Sequence, residues 1–124
     1  MEIIDKIEGS TYTHNVPVSV SFGALDLQTD FPIKVWKENG RVVSNDTLDV
    51  GEYLNNGGRL VPEDADTGAE LETGDSFTVG KIAKSSDFPR LPAGWIPVRV
   101  AIDGDADFDS LVIKKGRGFQ VMIR

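Results

Sequence analysis

Apolar and polar residues alternate along most of this chain with the two-residue period of a β-strand. Val16, Val18, Val20 and Phe22 stand at every second position, separated by Pro17, Ser19 and Ser21. That spacing predicts a strand with one buried face. Pro17 has no ladder donor, so the start of this strand is expected at a sheet edge or a bulge. Ile33 and Val35 lead through Trp36-Lys37 to Glu38-Asn39-Gly40-Arg41 and then to Val42-Val43. Asn-Gly between two apolar runs signals a tight hairpin, because both residues tolerate positive φ; the hairpin is placed at 33–43. Further strands are expected around Phe77, Val79 and Ile82, along Ile96, Val98, Val100 and Ile102, at Leu111–Ile113, and along Phe119, Val121 and Ile123.

One stretch reads as a short helix. Asp49 and Glu52 stand at the capping-box spacing, and Asn55-Asn56-Gly57-Gly58 supplies a stop. Gly51 weakens this segment, 49–55, and a plain loop competes with it. Residues 62–75 read as an exposed acidic loop and 85–97 as a Pro-rich, extended connector, with residues 1–10 as an N-terminal arm. The whole, 1–124, is expected to form a single β-rich domain. The fold class is all-β: an antiparallel β-sandwich or small barrel of about seven or eight short strands, with at most one short helix near 49–55.

Composition narrows the function classes. The chain has no cysteine and a single histidine, His14. The side chains that most often act as nucleophile, general base or soft-metal ligand are therefore scarce, and no enzyme activity and no cofactor are expected. His14 is read as a surface or interface residue. The formal net charge of -7 disfavours direct nucleic-acid binding. Met1–Glu8 starts with acids and is not expected to be a Sec signal, and no run has membrane-spanning length. Synthesis in the cytosol without membrane insertion is the expectation, with the virion as a site of action if the chain is an assembly component.

Charge is placed unevenly. Residues 63–75 carry Glu63, Asp64, Asp66, Glu70, Glu72 and Asp75 with no base, while the last eleven carry Lys114, Lys115, Arg117 and Arg124 with no acid. These are either solvated surface or complementary patches for head-to-tail contact. Asp103, Asp105, Asp107 and Asp109 alternate as carboxylates around a hard cation would. Phe108 stands where an EF-hand loop needs glycine and Lys114 where it needs glutamate. The four are weak calcium candidates, and no metal site is expected.

Phe88-Pro89-Arg90-Leu91-Pro92-Ala93-Gly94-Trp95 is apolar and stiffened by proline. A segment that starts rigid loses little entropy on docking, so it reads either as an arm against a neighbouring subunit or as a connector crossing its own domain. The expected interface set is Phe88, Pro89, Leu91, Pro92 and Trp95 together with Lys114, Lys115 and Arg117. The function expected from these features is that of a non-enzymatic structural protein whose partners are copies of itself or a larger assembly. A small, cysteine-free β-domain is the build of capsid decoration, cement or tail accessory proteins of tailed viruses, an analogy of architecture alone. The alternative is a carbohydrate- or ligand-binding β-sandwich module using an exposed tryptophan and neighbouring carboxylates.

Overall fold

A computed structural model describes residues 16–116. They form eight strands: β1 Ser19–Leu27, β2 Phe31–Glu38, β3 Arg41–Asn45, β4 Thr47–Asn55, β5 Leu60–Asp64, β6 Ser76–Ala83, β7 Trp95–Ala101 and β8 Phe108–Lys115. Five make one sheet in the order β1-β4-β6-β8-β7, and three make a second in the order β3-β2-β5. No helix occurs among the described residues, and neither sheet closes into a barrel. The N-terminal arm 1–10, His14, Arg117 and the expected strand at Phe119–Ile123 lie outside the described residues.

The 33–43 hairpin is present. Asn39 and Gly40 hold φ of 53° and 78°, the paired positive values of a turn whose twist matches its strands. Glu38 lies opposite Arg41, and a bulge falls between Trp36 and Lys37.

An antiparallel build was the expectation; the sheets are mixed. β1 runs parallel to β4, β4 to β6, and β2 to β5, while β6-β8, β7-β8 and β2-β3 are antiparallel. The cause is the path of the chain. After β1 it crosses to the second sheet for β2 and β3, returns for β4, crosses again for β5, and returns for β6. A strand that re-enters a sheet after such a detour starts from the same end as its predecessor, which makes the pair parallel.

The helix expected over 49–55 is strand β4. The Asp49 carboxylate does not cap a helix; it accepts the Lys81 N–H at 2.9 Å. Leu48 and Val50 alternate into the core, and ladders on both sides take up the backbone. Pairing overrides a local capping signal that was barely two turns long. Gly51 also has a use here, since a Cβ at this position would run into the Gly23 carbonyl oxygen. Around these two glycines β1 and β4 change phase together: Val20 is buried and then Leu25, Val50 and then Tyr53.

One buried cluster draws on both sheets. Ile33, Val35 and Leu60 from the smaller sheet and Val50, Ile82 and Ile113 from the larger are all fully buried. Phe22 and Phe31 meet edge to face across the two, ring centroids 6.2 Å apart. Where the chain leaves β3 for β4, the buried Asp46 holds the crossing. Its Oδ1 accepts the Val18 N–H at 3.1 Å and its Oδ2 the Lys34 N–H at 2.9 Å. In return, the Asp46 N–H donates to the Lys34 carbonyl and the Thr47 N–H to the Val18 carbonyl. The lead-in to β1 and the middle of β2 are thereby tied to one residue.

Candidate functional site

The 88–95 segment lies across its own domain. Pro89 is buried, and Phe88, Leu91 and Trp95 pack against the shared core. The Trp95 and Phe77 rings meet edge to face with centroids 6.1 Å apart. The Arg99 guanidinium sits 4.9 Å above the Phe88 ring, a cation–π contact, and donates to the Ala83 and Ser86 carbonyls. The backbone is held as well. The Asn55 side chain donates to the Phe88 carbonyl at 3.0 Å and accepts the Arg90 N–H at 2.9 Å, and Leu60 N–H donates to the Arg90 carbonyl. Strand β7 begins at Trp95, so the connector ends three residues earlier than the 85–97 stretch read from prolines, and Pro97 belongs to the strand.

One member of the basic patch, Lys115, meets the acidic stretch within the same chain, and two lysines of β2 hold the rest of it. Lys115 Nζ donates to the Leu71 carbonyl at 2.6 Å and lies 3.5 Å from Glu70. Lys37 bonds Asp75 at 2.7 Å, both side chains nearly buried, with Glu72 at 3.5 Å. The Asp75 carboxylate holds the Lys37 ammonium above its ordinary range, offsetting the burial that pulls it down. Lys34 pairs with Glu63 at 3.3 Å. The acidic stretch is thus pinned to its own domain, and its first residues, up to Asp64, are strand β5. Lys114 remains exposed.

The aspartates at 103–109 are divided among separate tasks. Asp105 accepts the N–H groups of Asp107 and Phe108 and caps the turn into β8, which lowers its carboxyl below the usual range. Asp109 is buried, bonded to Lys84 at 2.6 Å and 3.6 Å from Arg99. Asp103 and Asp107 are exposed. Among the described residues, no three carboxylates or histidines gather as a metal-binding group.

Two surfaces stand out among the described residues as able to receive something. The first is a cleft of about 90 Å³ between β5, the 70s loop and the start of β7, with Trp95, Arg59, Glu70 and Lys115 among its lining. Arg59 is held in place by Asp30 at 2.8 Å. The second is the outward face of β7. The alternation along 96–100 reads as the buried side of a strand, yet Ile96, Val98 and Val100 are 47%, 45% and 48% exposed. Their neighbours Trp95, Pro97 and Arg99 face inward instead. On the adjoining strand Val112 lies directly beside Val98 and extends the apolar surface, with Lys114 beside Ile96. The period alone could not settle the phase here, because both sets of alternate residues in 95–98 are apolar. Arg99 sets it from far along the chain, its guanidinium donating to the Ala83 carbonyl at the end of β6. Comparison with protein-family models, with curated proteins and with solved structures finds no match for this chain, so its function has to be argued from these surfaces.

Proposed function

We propose that the protein is a non-enzymatic interaction domain, a β-sandwich subunit that works as one copy among several in a larger assembly. The observation that carries this is the outward face of β7: three aliphatic side chains in a row, each about half exposed, on an edge strand. Scattered apolar residues are normal on a surface, but a contiguous stripe marks a contact site. The titratable groups support a structural reading, since Asp75, Asp105 and Asp109 are engaged in caps and ion pairs. Capsid decoration, cement or tail accessory function of the tailed-virus type is the role this architecture fits. The contact we assign to β7 leaves the 88–95 segment as its support, since Trp95 opens the strand.

The test is light scattering behind size exclusion over a wide concentration range. A mass above the 13.5 kDa of one chain, falling back on substitution of Val98 by a charged residue, is expected. A single-chain mass at every concentration, alone and with the components of its native particle, overturns the reading. The cleft at Trp95 favours a second reading, a glycan site combining an indole with Glu70, Arg59 and Lys115. A glycan screen in which binding is lost with Trp95→Phe but kept with Val98→Glu would decide for it.

A further inference from the structure

The stripe on β7 is narrow. Three residues at alternate positions of one strand span about 13 Å. A stable contact between globular surfaces buries roughly 800 Å² on each partner. A patch one strand wide, widened only by Val112, falls well short of that. What fits it is an extended segment whose apolar side chains repeat at the same two-residue spacing.

The sequence contains that spacing. Phe119, Val121 and Ile123 alternate with Gln120 and Met122, matching Ile96, Val98 and Val100 step for step. The chain leaves the described residues beside the stripe as well. The Gly116 N–H donates to the Gly94 carbonyl at 2.8 Å, and a Cβ on Gly116 would lie 3.4 Å from Ile96 Cδ1. We propose that residues 117–124 of one copy dock along the outward face of β7 of a second copy, making a head-to-tail contact. This rests on the assembly reading above and names its partner.

Geometry favours a neighbour over the same chain. A segment stacked on a sheet runs about 10 Å above it. From Gly116, which is bonded in the plane of the sheet, the three steps to Phe119 reach about 10 Å at full extension. They would all be used in the climb, with none left for the reversal that must follow. The edge of β7 is also a poor place to add a strand, because Pro97 removes a donor there. A neighbour's segment meets neither constraint. A contact between two different surfaces of the same chain is heterologous, and it propagates into a ring or a filament.

Two surface variants test this without relying on a truncated chain. Val98→Glu spoils the stripe and keeps the segment; Val121→Glu spoils the segment and keeps the stripe. Each alone should be monomeric by light scattering, with the melting temperature of the wild type. Mixed at equal amounts they should form a one-to-one pair, since the intact segment of the first meets the intact stripe of the second. If the wild type assembles, Val98→Glu does not and Val121→Glu assembles as well as the wild type, the assembly reading stands and this inference falls; if Val98→Glu also assembles equally well, both fall. A mixture that stays monomeric also overturns this inference. If the wild type is monomeric at every concentration, the head-to-tail contact is wrong.

Discussion

Removing the Asp46 carboxylate should be among the most damaging single changes available outside the apolar core. Two backbone N–H groups, on Val18 and Lys34, end on its two oxygens. Asp46→Ala leaves both without that acceptor in a site where the residue itself is 2% exposed. A buried donor deprived of its partner costs about 1–3 kcal/mol, so the pair costs about 2–6 kcal/mol. With a urea slope of about 1–3 kcal/mol per molar for a domain of this size, a mid-range loss of about 4 kcal/mol lowers the unfolding midpoint by roughly 1–4 M. Asp46→Asn keeps one oxygen acceptor and turns an amide N–H₂ toward the other donor, so it should lose about half as much. Amide exchange gives the local readout: Val18 and Lys34 should exchange faster in Asp46→Ala, ahead of amides at the far end of β2. The reasoning is refuted if Asp46→Ala unfolds within about 0.5 kcal/mol of the wild type with both amides still protected.

Other outcomes follow from the turns and the acidic cluster. Gly40→Val puts a β-branched residue at a φ of 78° and should lower stability by about 1–3 kcal/mol in thermal or urea unfolding; an unchanged melt would mean that the turn tolerates a side chain there. Asp105 has a lowered carboxyl pKa in the folded chain, so its turn is stabilised above the unfolded value of 3.8 and loses that support as pH falls through the folded value. Exchange at the Asp107 and Phe108 amides, corrected for intrinsic rates, should therefore rise only in acid, and Asp105→Asn should abolish that dependence. Millimolar calcium should leave the melting temperature unmoved, because Asp109 is occupied by Lys84 and Arg99. A rise of several degrees that Asp105→Asn removes would contradict this.

What was legible in the sequence tracks how local the cause is. The Asn39-Gly40 turn needs only its own two backbones to be read, and it stands where expected. The all-β character is equally local, since alternation is a property of each strand alone. Strand direction is not, because it depends on which sheet the chain visits between β1 and β4. Asp49 and Glu52 carried a capping signal that lost to ladders supplied by residues far along the chain. The outward phase of Ile96, Val98 and Val100 was hidden for a related reason. It is fixed by Arg99 reaching back to Ala83 and Ser86, and by Trp95 finding Phe77. The cleft at Trp95 joins four separate stretches of chain, and no spacing in the sequence announces it.

The back-and-forth path of the chain between its sheets has a consequence for how the molecule comes apart. Neither sheet is one continuous length of polypeptide; the chain laces them with four crossings between β1 and β6. The first two strands of the larger sheet are separated along the chain by the whole hairpin of the smaller, and β2 and β5 of the smaller by β3 and β4. Most strand partners must therefore be found over long separations along the chain, which places folding at the slow end for a small domain, on the order of milliseconds to seconds. The same lacing leaves no half that can peel away intact. A subunit built this way should open as a whole or stay shut, and a pull on one sheet is carried at once to the other.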